Sequence, residues 1–168
     1  MQHTIRTFVA AEISLDVRAR AAALIKKLRV TPARVHWVEP NNLHLTLKFL
    51  DNVETERIPQ VCREIAKVTR RLPQFEYHSL GVGAFPDATR PRTVWIGVGE
   101  GSQQLIELHD AIDGAADGVG FRSEHRRFRP HLTIGRVRGT EGVKELAELM
   151  AEFVDYDCGA TIVEDAVG

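Results

Sequence analysis

Residues 44–50 read HLTLKFL, and residues 131–137 repeat nearly the same letters as HLTIGRV. Both stretches are rich in residues that favour β-strands, whose side chains alternate between the two faces. Alternation therefore places the histidine and threonine of each copy on one face, opposite an apolar face. Two residues of a strand rise roughly 3.3 Å each, so each copy presents an imidazole and a hydroxyl about 7 Å apart. These pairs are His44 with Thr46 and His131 with Thr133.

An amphipathic helix is predicted directly after each HLT strand. Residues 54–72 carry apolar side chains at helical spacing, and residues 142–154 do the same. A strand followed by a helix, written twice, indicates an internal duplication. We expect two similar halves packed about a pseudo-twofold axis.

The remaining segments also alternate between strand and helix patterns. Ser14 can cap a helix whose inner face is Val17, Ala21, Leu24 and Leu28. A proline-containing loop over residues 86–91 is expected between two strands, and a helix broken by glycines at 103–116. The predicted strands are 4–13, 35–38, 43–50, 75–86, 92–99, 127–137 and 156–167.

The composition predicts one compact domain covering residues 1–168, since 43% of the residues are hydrophobic and 27% are charged. No apolar run approaches the roughly 20 residues that a membrane span needs, and the amino terminus lacks a signal-peptide pattern. We therefore expect a cytoplasmic protein without a membrane partner. Cys62 and Cys158 form no CxxC motif, and we interpret both as packing residues rather than a disulfide.

The formal net charge of −1 argues against a protein that grips long nucleic acid through many phosphates. The charge is uneven, because residues 121–138 contain six arginines and one acid, Glu124. Such a segment is either a solvated face or a site for a short anionic ligand. The arginines are Arg122, Arg126, Arg127, Arg129, Arg136 and Arg138.

Two H-x-T-hydrophobic motifs in one small chain, at 44–47 and 131–134, resemble the two-histidine (2H) phosphoesterase superfamily. TFVAAEI near the start, GVGAFPDATRPRTVWIGV in the middle and RPHLTIGR extend the likeness to the RNA 2′,3′-cyclic phosphodiesterases, also called 2′-5′ RNA ligases. The resemblance spans about residues 4–140. Asp51 departs from it, because the family often has glycine there. The chain also ends soon after GATIVEDAVG, where family members commonly add a further strand.

The resemblance implies an α+β fold of two pseudo-symmetric lobes. Each lobe would be an antiparallel-rich sheet with helices packed outside, and the active cleft would lie between them. It also implies hydrolysis of RNA or nucleoside 2′,3′-cyclic phosphate ends to 2′-phosphomonoesters, with reversible 2′-5′ ligation as a related activity. The expected partners are such RNA ends or nucleotides, bound by a monomer.

Histidine suits acid and base work because its unperturbed pKa of about 6.5 allows either protonation state near neutral pH. By resemblance, His131 accepts a proton from water, and His44 donates a proton to the leaving ribose oxygen. Thr46 and Thr133 would donate to the nonbridging phosphate oxygens. No metal or other cofactor is expected, because the sequence nominates no further ligands.

Three further residues are candidate substrate contacts, each with a structural alternative. Arg136 resembles a phosphate or ribose contact of the family, although alternation places it opposite His131 unless a bulge intervenes. Phe49 would stack on a base or belong to the core. Lys48 shares the predicted face of His44 and would meet phosphate or solvent. Trp95 is predicted to be core, and His3, His36, His78, His109 and His125 to be structural or exposed.

A function from another class remains open at this point. The histidines and threonines would also suit a noncatalytic protein that binds the terminal phosphate of an RNA. A metal-dependent site is the other alternative, and retention of activity with a chelator separates it from acid–base catalysis. The sequence does not identify the physiological RNA.

Overall fold

The fold is given by a computed structural model, which describes residues 3–123 and 127–164. The sequence-based predictions for His125, Arg126 and Glu124 therefore lie outside the described residues. The strands are β1 (Thr4–Ala11), β2 (Arg34–Trp37), β3 (Leu45–Glu54), β4 (Phe75–Asp87), β5 (Arg90–Val98), β6 (His131–Arg138) and β7 (Asp157–Val163). The helices are α1 (Leu15–Leu28), α2 (Ile58–Thr69), α3 (Ser102–Asp117) and α4 (Val143–Ala151).

The strands form two antiparallel sheets of unequal size. The smaller sheet pairs β1 with β3, and the larger sheet has the order β2-β6-β5-β4-β7. Each HLT strand thus lies in a different sheet, β3 in the smaller and β6 in the larger. Cα atoms of β3 and β6 nevertheless come within 8 Å of one another. This α+β arrangement of antiparallel sheets with helices outside confirms the predicted fold class.

Two hydrophobic cores hold the sheets to their helices. Helices α1 and α4 pack on the larger sheet, where Leu24 and Leu146 lie beside Ile96 and Ile134. Helices α2 and α3 pack on the smaller sheet, where Val61 and Leu105 contact the apolar side of β3. The halves are interleaved, because α1 follows β1 of the smaller sheet but packs on the larger one.

Helix starts and inner faces follow the sequence pattern. Ser14 caps α1, since its Oγ accepts a hydrogen bond of 3.1 Å from the backbone N–H of Val17. The apolar positions predicted for the inner face of α1 are all buried. Leu146 and Met150 of α4 are buried as predicted, although α4 ends at Ala151 and Phe153 lies in the following turn. The helix predicted over 103–116 was expected to be broken by glycines, yet α3 is continuous through Gly114 to Asp117.

Several predicted boundaries and burials are wrong. The connection between β4 and β5 is a tight turn rather than a loop over 86–91, because the Asp87 carboxylate accepts hydrogen bonds from the backbone N–H groups of Thr89 and Arg90. Strand β6 begins at His131, four residues later than predicted. Cys62 is exposed on α2, whereas Cys158 is buried, and burial raises the pKa of its thiol to about 12.

Across the part of the chain that the structure describes, none of the helices has the length and apolar character needed to cross a bilayer.

Candidate active site

Each HLT strand carries a β-bulge at the same position relative to its histidine. In the β1–β3 ladder, Leu47 is the extra residue, since Val9 pairs with Lys48 and Ala10 with Thr46. In the β5–β6 ladder, Ile134 occupies the corresponding place, three residues after His131. A bulge inserts one unpaired residue, so the side chains beyond it change faces relative to strict alternation.

The bulges bring Phe49 and Arg136 to the side of the histidines, five positions after each one. Both side chains are exposed, and both line the same cleft as the histidines. The alternation argument, which placed Arg136 opposite His131 and made Phe49 a candidate core residue, is therefore wrong at these two positions. The sequence alone cannot reveal such a bulge, because a bulge depends on pairing with a strand that is distant along the chain.

The cleft between β3 and β6 has a volume of about 640 Å³. It brings together the two imidazoles and the two hydroxyls that the repeated motifs predicted, although 85 residues separate Thr46 from His131 along the chain. Phe128 and Thr93 contribute further wall surface. The residues of the two motifs that line the cleft are His44, Thr46, His131 and Thr133.

Both imidazoles are held by a backbone carbonyl two residues earlier. His44 Nδ1 lies 2.7 Å from the Asn42 oxygen, and His131 Nδ1 lies 2.6 Å from the Arg129 oxygen. A carbonyl can only accept a hydrogen bond, so each Nδ1 must carry the proton and donate it. This fixes the tautomer of both rings and leaves Nε2 as the nitrogen that gains or loses a proton.

The aromatic surroundings of the two imidazoles differ. Phe8 is stacked on His44, with ring centroids 4.5 Å apart and an interplanar angle of 12°. Phe85 instead meets His131 edge to face, at 5.0 Å and 90°, and the Trp95 ring lies 6.3 Å away. The Phe8 ring thus stacks face to face on His44, whereas His131 makes an edge-to-face contact with Phe85.

The protonation of His131 is shifted toward the neutral form. Burial among these aromatic rings lowers the pKa of its imidazole, and the positive charge of Arg136 lowers it further. The hydrogen bond to the Arg129 carbonyl raises the pKa of His131, but by less than burial lowers it. A neutral Nε2 is the state required to accept a proton.

Lys48 occupies a different environment from the one predicted. It is 2% exposed, its Nζ lies 2.6 Å from Asp113 Oδ1 on α3, and it donates a 3.0 Å hydrogen bond to the Arg122 carbonyl. Ser123 Oγ donates to the other oxygen of the same carboxylate at 2.5 Å. The alternative of a solvated lysine is therefore wrong. Lys48 is still among the residues that line the cleft, so its contact with a phosphate stays a prediction.

Other residues at the cleft were not singled out by sequence reasoning. Phe8, Phe85, Arg6 and Phe128 all line it. Phe8 and Phe85 lie within stretches that carried the family resemblance, TFVAAEI and GVGAFP, so a signal for them was present. Phe128 is held from behind by His109 of α3, whose ring is stacked on it at 4.3 Å.

Trp95 and the other histidines are placed largely as expected. Trp95 is only half-buried, but its ring fills the space above Gly83, where a Cβ would lie 2.3 Å from the indole. His3 and His36 are exposed, His78 pairs with Asp157 at 2.6 Å, and His109 is buried. Within residues 3–123 and 127–164, no cluster of three or more His, Cys, Asp or Glu side chains could hold a metal ion.

The fold and the site define a class: α+β proteins in which two HxT strands, one from each sheet, face each other across a cleft. The chain belongs to the 2′-5′ RNA ligase superfamily, whose family model matches residues 9–164. Both HxT strands fall within that match.

Individual relatives support the same placement. The chain is 33% identical to the RNA 2′,3′-cyclic phosphodiesterase of Methanothermobacter thermautotrophicus, over 96% of this chain and 86% of that protein. It is 32% identical to the protein of the same name from Aeropyrum pernix, over 86% of this chain and 81% of that protein.

Solved structures share the fold. The crystal structure of E. coli LigT complexed with 3′-AMP superimposes with a TM-score of 0.72 at 23% identity, covering 96% of this chain and 84% of LigT. The PDE domain of MHV ns2 gives 0.61 at 14% identity, covering 97% of this chain and 99% of that domain.

Proposed function

We propose that this protein is an RNA 2′,3′-cyclic phosphodiesterase, which opens cyclic phosphate ends of RNA or nucleotides to 2′-phosphomonoesters. The observation that carries the proposal is the convergence of two HxT motifs on one cleft, with both imidazoles pinned in the same tautomer. Relatives of that name, at 32–33% identity over most of the chain, support the substrate class.

The reaction needs a base and an acid on opposite sides of phosphorus. His131 Nε2 takes a proton from water, whose oxygen forms the new bond to phosphorus. His44 Nε2 gives its proton to the ribose 3′ oxygen as the bond from that oxygen to phosphorus breaks, which leaves the phosphate on the 2′ oxygen. The lowered pKa of His131 supports its role as the base.

The remaining cleft residues stabilise charge and position the substrate. Thr46 and Thr133 donate to the nonbridging oxygens, where negative charge accumulates in the transition state. Arg136 contacts the phosphate, and Phe49 stacks on the base. Lys48 positions the 122–123 segment, because its ammonium forms a buried ion pair with Asp113 and donates a hydrogen bond to the Arg122 carbonyl.

The magnitudes are adequate without a metal ion. A positioned acid or base contributes about 10²–10⁴-fold each. Loss of one oxyanion donor costs about 10²–10³-fold. The product of these factors reaches enzymatic rates even after a discount for non-additivity.

The same groups can join RNA ends when a 5′ hydroxyl takes the place of water. His131 then accepts the proton of the 5′ hydroxyl as its oxygen bonds to phosphorus, and His44 gives its proton to the leaving ribose 3′ oxygen, so a 2′-5′ linkage results. When this linkage is cleaved again, the roles are exchanged: His44 takes the proton of the 3′ hydroxyl and His131 protonates the leaving 5′ oxygen. We propose that residues 1–168 act as one domain of two interleaved lobes and that the protein works as a monomer. Light scattering after size exclusion tests the last point, and a dimer mass would overturn it.

Turnover of a nucleoside 2′,3′-cyclic phosphate tests the proposed function directly. We expect a bell-shaped dependence of kcat/KM on pH, a product with its phosphate on the 2′ oxygen, and full activity in the presence of a chelator. Binding of the cyclic nucleotide without turnover would instead identify a noncatalytic RNA-end binder. Loss of activity with a chelator, restored by zinc, would identify a metal-dependent enzyme.

A further inference from the structure

A second groove opens beside the cleft on the side of His44. The two cavities share three wall residues, Phe8, Asn42 and His44. The groove has a volume of about 850 Å³, within the range of roughly 300–1,000 Å³ typical of small-molecule sites. It runs between the end of β1, the first turns of α1 and the turn at residues 40–42. It is therefore continuous with the catalytic cleft.

The chemistry of the reaction decides which end of the substrate points toward this groove. Attacking and leaving oxygens stand roughly in line through phosphorus. If His131 handles the attacking water, the leaving 3′ oxygen is next to His44. The ribose that owns this oxygen stays attached to phosphorus through its 2′ oxygen, so that ribose also lies on the side of His44. The RNA chain continues from the 5′ carbon of the same ribose.

We propose that the groove binds the nucleotide immediately 5′ to the cyclic phosphate terminus. The inference rests on the proposed function, because the assignment of His44 as the acid sets the direction of the RNA. It names the substrate class more narrowly: the preferred substrate is an oligonucleotide end rather than a cyclic mononucleotide.

The walls of the groove suit one nucleotide. Leu15 is 84% exposed and offers an apolar surface for a base. Arg18 stands further along the wall and is held in place by a hydrogen bond to the Pro40 carbonyl. Its guanidinium keeps a positive charge and further N–H donors at the groove, where the linking phosphodiester passes. Asn41 adds an exposed amide at the rim.

The charge of the groove limits how much RNA it holds. Glu12 stands on the same wall as Arg18, so one carboxylate offsets one guanidinium. A groove in which positive and negative charges balance binds a nucleotide mainly through its base and does not bind a series of phosphates. This agrees with the formal net charge of −1, which is unlike that of proteins that hold long RNA.

A comparison of two substrates tests the proposal. The substrates are a nucleoside 2′,3′-cyclic phosphate and the dinucleotide that carries the same nucleoside as its cyclic terminus. We expect kcat/KM of the unmodified protein to favour the dinucleotide by about fivefold or more, because one additional base buries apolar surface in the groove. Equal values for the two substrates would overturn the groove and leave the proposed function standing.

A matched pair of variants locates the effect. Leu15→Glu replaces the apolar surface for the base by a carboxylate one helical turn from Arg18, where the phosphodiester passes, and we expect it to reduce the preference for the dinucleotide about fivefold at low salt. A carboxylate in the first turn of α1 is favourable for the helix, so the variant should fold. Val30→Glu makes the same charge change at a residue that is 79% exposed and lies beyond α1, outside the groove, and it should keep the preference.

The remaining outcomes are also decisive. An equal loss of preference in both glutamate variants would show a general charge effect and overturn the proposal. Loss of preference in Arg127→Gln but not in Leu15→Glu would place the RNA over the basic segment instead. Hydrolysis of neither substrate by the unmodified protein would overturn the proposed function, and the groove assignment with it.

Discussion

The two HLT strands have the same backbone but different neighbours. Three positions after each histidine stands a bulge, at Leu47 and Ile134, and each imidazole donates to the carbonyl two residues before it. Four positions after the histidines, the first strand has a buried lysine and the second has Gly135. Five positions after them, the cleft receives Phe49 from one strand and Arg136 from the other.

These differences give two strands of similar sequence unlike surroundings. The shared backbone sets the position and tautomer of both rings, so it cannot by itself distinguish an acid from a base. The side chains packed around the two rings differ: a phenyl ring is stacked on His44, and His131 is buried beside a guanidinium, which lowers the pKa of His131. The repeated motif thus sets the position of both rings, and in the proposed mechanism the neighbours of His131 favour it as the base.

The sharpest test separates the two imidazoles. We expect His44→Ala and His131→Ala each to lower kcat for cyclic phosphate hydrolysis by about 10²–10⁴-fold while the thermal unfolding midpoint stays close to that of the unmodified protein. In the pH profile of kcat/KM, removal of the base should abolish the fall at low pH, and removal of the acid should abolish the fall at high pH. The same limb lost in both variants would contradict the division of roles.

The next largest effect is expected at Lys48 of β3, whose counterpart in β6 is Gly135. Lys48→Met leaves the buried Asp113 carboxylate without its ammonium partner, and we expect the free energy of unfolding in urea to fall by about 3 kcal/mol. The double variant Lys48→Met with Asp113→Leu should recover most of this loss, since neither charge then remains. Lys26→Met, at an exposed position of α1, is the matched control. A cost for Lys48→Met no greater than for this control would contradict the importance of the ion pair.

A smaller effect is expected at a second bulge of β3. Over the residues that pair β5 with β6, the ladder has no counterpart of this second bulge. Leu50 is the extra residue there, and the adjoining Asp51 has a φ of +57° in the left-handed region. We expect Asp51→Val to destabilise the fold by about 1–2 kcal/mol, measured in urea, and Asp51→Gly to be tolerated. Asn52→Val is the neighbouring control, and an equal cost at both sites would refute the role of backbone strain.

The smallest expected effect is a displacement of one limb of the pH profile. The Arg136 charge helps to hold the pKa of His131 below its usual value, and a base works only when it is neutral. Arg136→Gln removes that charge, so the pKa should rise and the fall of kcat/KM at low pH should begin at a higher pH. Arg138→Gln removes an equal charge from the exposed end of the same strand and should leave this limb unmoved. Movement of the limb in both variants would indicate a general field effect.

Sequence patterns were sufficient for the elements and for the catalytic candidates. Periodicity located the helices, and the repeat identified His44, Thr46, His131 and Thr133, all of which line one cleft. Alternation failed beyond residues 47 and 134, because a bulge depends on pairing with strands far away in the chain. The partner of Lys48 was equally out of reach, since Asp113 lies on a helix 65 residues later and no local pattern links the two.

The carbonyl contacts of the two imidazoles have a consequence for how the protein can change over evolution. Many catalytic histidines depend on a carboxylate side chain for orientation, and a single substitution can delete it. Here the acceptors belong to the main chain at Asn42 and Arg129, so no replacement of those side chains takes the oxygen atoms away. Side chains around the cleft can therefore change together with the RNA substrate. The two rings keep their orientation as long as the backbone at residues 42 and 129 keeps its path.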